Sequence, residues 1–246
     1  MPLQHFLAHL LNHLFGRPVT HLLTAIGLPP LHPTAPINGT FTMELLAFLI
    51  LLVFFLIVRV SINVERPGTA QQLAEMVQEF VGGQSEPIIG HGYEKFVPYL
   101  TAILLFVGVN NLLGLLPDVD TATANPAVPL GLALLTFAYY HWQGIRAQGP
   151  VHYAKHFLGP LWWIAPLMLP IEIISHIARV LSLTLRLYAN MFASDLLTLI
   201  FFSLFPFALP VIFLGLHLGV SLIQAYVFML LATIYIGQAI AHAEEA

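Results

Sequence analysis

Residues 45–58, LLAFLILLVFFLIV, carry no polar side-chain atom. Away from water such a segment can satisfy its backbone in one way, as a helix whose amides and carbonyls bond to one another. With the flanks at 41–44 and 59–62 it reaches the roughly 20 residues needed to cross a bilayer. Arg59 marks the point where it leaves the apolar layer. The rest of the chain is built alike. Of its 246 residues, 58% are hydrophobic and 8% charged, whereas a soluble domain carries roughly 25% charge. The composition is that of an integral membrane protein. A net charge of −4 points to no nucleic-acid partner, and the absence of cysteine excludes disulfides, thiolate metal sites and cysteine nucleophiles. The N-terminus, MPLQHFLAHLLNHLFGRP, has neither a basic n-region nor a small-residue cleavage site, and reads as retained.

Apolar segments at about 96–116, 128–145, 170–204 and 207–240 follow the first, so the expectation is an all-α polytopic protein with five transmembrane helices. Between the first two spans, Leu73, Met76, Val77 and Phe80 recur at helical spacing among glutamines and glutamates. This predicts a short amphipathic surface helix starting near Pro67 and ended by Gly82 and Gly83. Trp162, Trp163 and Tyr153 suit the headgroup level. Arg59, Arg66, Lys95, Arg146 and Lys155 fall on one side of a five-span layout and Arg17 on the other. That places the N-terminus outside and the C-terminus in the cytoplasm. Residues 1–40 read as an external or interfacial segment and 41–246 as one membrane domain. His5, His9 and His13 recur every four residues. Such spacing can hold a metal, but with no carboxylate nearby an amphipathic interfacial turn is expected. No metal and no cofactor is expected.

The last two segments are too long for a perpendicular span. Thirty-five helical residues run about 52 Å against about 30 Å of hydrocarbon, which predicts a steeply tilted helical hairpin over 170–240. Its polar residues are ordered. Glu172, His176, Arg179, Arg186 and Asn190 form one stripe, with Asp195 on the opposite face of the same helix. Counting outward from a turn near Pro206, Asp195 matches His217 in depth, and Arg186 matches Gln224. A charge at the bilayer centre costs about 2.5–3.5 kcal/mol, an expense that packing alone does not account for. The residues themselves leave several alternatives open. Asp195 and His217 could exchange protons or only lock two helices together. Arg179 could snorkel to the headgroups. Asn110 and Asn111 could line a channel or join helices. A secondary transporter would be expected to show internal repeats, and none is visible.

SLTLRLYANMFASDLL followed by HLGVSLIQAYVFMLLATIYI closely resembles the last two helices of subunit a of the F-type ATP synthase. The likeness extends through NNLLGLLP and the order of the spans, over roughly residues 40–240. The family usually has Glu or His where this chain has Asp195, paired with the residue at the position of His217. The resemblance implies a stator subunit that faces a ring of c subunits, with peripheral-stalk b subunits and the remaining synthase subunits as further partners, in a bacterial inner membrane. Two aqueous half-channels would load and unload protons on the ring carboxylates. Arg186 would discharge each carboxylate, and Asp195 and His217 would exchange protons on the outer side. Asn190 and Gln224 would hold water, and Glu172 and Ser175 would line the exit. The chain itself would catalyse no reaction.

Overall fold

The computed structural model describes residues 3–27, 35–63, 66–116, 119, 121–150, 153, 165–204 and 209–241. Trp162, Trp163, Lys155, Pro206 and the C-terminal tail lie outside the described residues. Among those described there are seven α-helices and no strand: α1 Leu3–Ala25, α2 Gly39–Ser61, α3 Thr69–Ile89, α4 Val97–Leu113, α5 Ala127–Gln148, α6 Ala165–Leu204 and α7 Leu209–Ala241. Short 3-10 turns at Tyr93–Lys95 and Ala122–Ala124 precede α4 and α5. Within the described residues, Gly39–Ser61, Pro166–Ser203 and Val211–Ile240 are long and apolar enough to cross a membrane, and Val97–Leu113 is a shorter apolar helix.

Local chemistry sets several boundaries. The Asn38 side chain caps α2, accepting a hydrogen bond from the Phe41 amide at 2.8 Å. Gly90, at φ 76°, stops α3 in a conformation that favours glycine. The expected end of α3 at Gly82 and Gly83 is corrected: the helix runs through both to Ile89. A mid-helix glycine costs only about 1 kcal/mol. Burial of Val81 and Ser85 on either side of the pair, with Val81 packed beside Phe96, Met229 and Ile236, outweighs that cost. The predicted apolar residues Leu73, Met76 and Phe80 are exposed, while Gln71, Val81 and Ser85 face the protein. The N-terminal segment also differs from a single interfacial turn, because α1 forms 23 residues of helix that include Pro18.

α7 is the central element, packed against α3, α4, α5 and α6. One core cluster joins Val81, Leu100, Tyr140, Met229, Ala232 and Ile236. A second joins Val107, Ala133, Leu187, Met191, Ala225 and Phe228. Small residues permit close helix approach. A Cβ on Gly237 would stand 2.9 Å from the Ile88 carbonyl oxygen, and one on Gly144 would stand 3.2 Å from the Ala239 carbonyl oxygen. The outward faces are apolar, including Phe48, Leu52 and Leu56 of α2 and Leu181, Leu185 and Leu199 of α6. An apolar exterior over this length suits lipid, not water.

α6 and α7 are antiparallel. The Phe201 and Phe213 rings stack at 3.9 Å, His217 Nδ1 lies 3.6 Å from Asp195 Oδ1, and Asn190 Nδ2 donates to Gln224 Oε1 at 2.9 Å. Element ends sort into two groups. Met43, Val119 and Ala122 cluster together with Leu7 of α1, and Asn125 donates to Thr40. At the opposite end, Gln148 donates to the Ala239 carbonyl and Gly237 meets Ile88.

Candidate functional site

The first polar level lies where the Ala122–Ala124 turn meets α6 and α7. The Asp195 carboxylate accepts a hydrogen bond from Thr121 Oγ1 at 3.0 Å and faces His217 Nδ1. Asp195 retains 31% side-chain exposure and His217 only 2%. This is one carboxylate reachable by water beside one buried imidazole, a pair able to pass a proton between them. Gly114 sets the position of Thr121, since a Cβ there would fall on the Thr121 hydroxyl. The pairing of Asp195 with His217 at one depth agrees with the count from the turn.

One helical turn along α7, Ser221 is fully buried beside Asn111. Asn111 Nδ2 donates to the Ser221 carbonyl at 3.3 Å and its Oδ1 accepts from Thr123 Oγ1 at 2.6 Å. Asn110 donates to the Phe106 carbonyl. Three buried polar atoms here, Asn110 Oδ1, His217 Nε2 and Ser221 Oγ, have no hydrogen-bond partner among the described residues. Such atoms carry a desolvation cost and are ordinarily satisfied by protein or water.

The next level is Asn190 with Gln224. The sequence matched Gln224 in depth with Arg186, but the bond comes from Asn190, one turn further along α6. Arg186 lies beyond, half-exposed. Its Nη2 reaches Ser182 Oγ at 3.5 Å, and among the described residues no carboxylate forms an ion pair with it. Arg179 stands over the Tyr235 ring, 5.3 Å from its centroid. Ser175 and Glu172 are half-exposed on the same side of α6, and Glu172 Oε1 lies 3.3 Å from Nε2 of the buried His176.

The predicted residues thus form a succession along α6. From Asp195 to Glu172 is 23 residues, about 35 Å of helix, comparable to the hydrocarbon thickness. Sequence reasoning missed Thr121, Thr123 and Ser221, and left Asn111 undecided; the structure makes Asn111 a junction between α4, the 122–124 turn and α7. Thr121 and Thr123 lie between two apolar segments, outside any helical periodicity that could have marked them.

A bundle with an apolar exterior and polar side chains threaded along its depth defines an integral membrane protein that handles a small polar or charged species inside the lipid layer. The family model described as ATP synthase A chain matches residues 25–237. The ATP synthase subunit a of Koribacter versatilis is 48% identical over 245 residues, covering 100% of both chains. That of Solibacter usitatus is 42% identical over 232 residues, covering 94% of this chain and 98% of the relative. That of Nitratidesulfovibrio vulgaris is 44% identical over 202 residues, covering 80% and 84%. The chain belongs to the ATP synthase A chain family, as its resemblance over roughly residues 40–240 implied.

Proposed function

We propose that this chain is the stator proton-channel subunit of an F-type ATP synthase, loading and unloading protons on the carboxylates of a ring of c subunits. The observation that carries the reading is the position of Arg186. It is a permanent cation without a carboxylate partner among the described residues, between two runs of polar side chains. The inlet run is Thr121, Asp195, His217, Asn111, Ser221, Gln224 and Asn190. Its unpartnered buried atoms are places where water would lower the free energy. The outlet run is Ser182, Ser175 and Glu172. Among the described residues Arg186 stands between the two runs, its Nη2 3.5 Å from Ser182 Oγ.

An arginine in that position favours the ionised form of a passing carboxylate. A proton is therefore released to one run before another is taken from the other, and the fixed charge repels a hydrated proton attempting to cross directly. The ring, the peripheral-stalk b subunits and the catalytic head are separate chains, and this one is a non-catalytic transport part. In this reading α2, α4, α5, α6 and α7 cross the membrane, α3 lies on the cytoplasmic surface, and α1 lies at the outer one. The N-terminus is outside and the C-terminus is in the cytoplasm of a bacterial inner membrane. α6, at 40 residues, runs about 60 Å, so the α6–α7 hairpin tilts steeply across the ring.

The test has two arms: ATP synthesis by vesicles holding the whole complex, and proton flux under an imposed potential into vesicles holding the membrane sector without its head. Arg186→Lys abolishes coupled synthesis, because the planar fork is lost although charge is kept. Arg186→Ala abolishes synthesis and lets protons leak. Synthesis at the parent rate by Arg186→Ala would refute the reading.

A further inference from the structure

The inner end of α6 holds a cluster of titratable side chains of which the path described above uses Glu172 alone. His176 is buried and bonded at both ring nitrogens. Nε2 lies 3.3 Å from Glu172 Oε1, and Nδ1 lies 2.8 Å from the Tyr140 hydroxyl. Tyr140 itself is 2% exposed. His141 stands edge-on to His176, ring centroids 4.7 Å apart at 86°, and its own Nδ1 lies 3.3 Å from the Tyr153 hydroxyl. Arg179 and Tyr235 close the other side. These side chains come from α5, from just beyond it, from α6 and from α7. Helix packing by itself calls for no such concentration of proton-carrying groups, and one member, Glu172, is open to solvent at 31% side-chain exposure.

Resting on the proton-path reading above, we propose that Glu172 and His176 together form a one-proton holding site at the inner end of the outlet, with Tyr140 and His141 as its positioning residues. In the empty site Nε2–H faces the carboxylate and the Tyr140 hydroxyl donates to Nδ1; in the filled site Nδ1–H donates to the phenol oxygen and Nε2 shares the added proton with the carboxyl. The empty site is a carboxylate beside a neutral imidazole. It takes one proton from the Arg186 side and becomes either carboxylate with imidazolium or carboxylic acid with imidazole. These two forms interconvert by moving that proton between Nε2 and Oε1. The half-exposed carboxyl then gives it to cytoplasmic water, and the empty site is restored. One proton enters, one leaves, and no other bond changes. Because the two groups share the proton, the site belongs to the pair and not to either residue.

The pH dependence has a definite sign. Acidifying the inner face keeps the site filled and slows release, so inward flux in the parent falls in one step as inner pH drops. The groups facing the pair that could alter this are those named: Tyr140, His141, Tyr153, Arg179 and Tyr235.

Proton flux into head-free vesicles at graded inner pH tests the proposal. His176→Gln keeps the volume and can still bond to Tyr140 and Glu172, so packing survives. Its flux is expected to fall at least about a hundredfold, the low end for loss of a proton-transfer group, and the step in inner pH to disappear. Glu172→Gln combined with His176→Gln is expected to be no worse than either alone. Flux by His176→Gln within about twofold of the parent, with the step in place, would overturn the holding site. The broader reading would still stand on the Arg186→Ala leak measured in the same vesicles. If His176→Gln fails to assemble with the ring, Tyr140→Phe decides, since it removes one hydroxyl only. An about fivefold loss, the worth of one hydrogen bond, with a displaced step supports the proposal, and an unchanged profile overturns it. A parent sector that carries no protons would refute both readings.

Discussion

Asn111 supports a prediction whose size and sign both follow from the structure. Its side chain is fully buried and makes two bonds, from Thr123 Oγ1 and to the Ser221 carbonyl. Bonds between membrane helices average about 0.6 kcal/mol, and those in soluble proteins about 1, so losing two costs about 1–2 kcal/mol. Asn111→Ala also strands the Thr123 hydroxyl, itself fully buried. An unsatisfied buried group costs about 1–3 kcal/mol. The single substitution should therefore destabilise by about 3 kcal/mol, roughly a hundredfold in the folding equilibrium. Adding Thr123→Val removes the stranded hydroxyl. The double variant should accordingly be more stable than Asn111→Ala by about 1 kcal/mol, although it carries more changes. The assay is SDS titration of the purified chain in mixed micelles, followed by circular dichroism. A double variant as unstable as the sum of the singles would refute the argument, because it would show that the two side chains do not share a buried bond.

Other consequences follow from neighbouring geometry. Asp195→Ala should impair proton-driven synthesis, and exchanging Asp195 with His217 should recover more activity than either single change, read as ATP formed by inverted vesicles. Gly237→Val should destabilise by about 1–3 kcal/mol, a typical overpacking cost, because its Cβ would meet the Ile88 backbone oxygen at 2.9 Å and no flexible side chain is there to yield; the yield of the chain in purified membrane sector reports it. A reporter fused after Ala246 should be cytoplasmic and one inserted at Thr121–Ala124 external, and the reverse outcome would break the five-span layout.

Depth along the hairpin was legible in the sequence to within about a turn, and contacts between distant segments were not. The match of Asp195 with His217 needed only a turn near Pro206 and a fixed rise per residue. The same count paired Gln224 with Arg186, yet its bond is with Asn190, one turn along the same stripe, because a turn placed only near Pro206 fixes depth to within about a turn. Thr121 reaches Asp195 across 74 residues, a contact that no local pattern encodes. The helix α3 passed Gly82 and Gly83 because tertiary burial of Val81 and Ser85 exceeds a propensity cost. The Tyr140–His176 bond was hidden for a related reason. In a helix as aromatic as α5, one tyrosine facing a histidine looks like any other until α5 and α6 are docked.

The pairing of α6 with α7 bears on how the inlet can open. From Phe201 to Asn190 is eleven residues, and so is the distance between their partners, Phe213 and Gln224, with Asp195 and His217 between them. Sliding one helix past the other by a single turn, about 5.4 Å, would part the stacked rings, the carboxylate–imidazole pair and the amide pair at once. The inlet therefore has a single register. What remains free to change is the rotation of the Asp195 and Asn190 side chains, which takes picoseconds to nanoseconds where exposed, against microseconds or longer for a helix register shift. On the proposed function, the delay at the inlet would then be set by side-chain reorientation and by the arrival of protons, and the slower collective motion would be left to the ring.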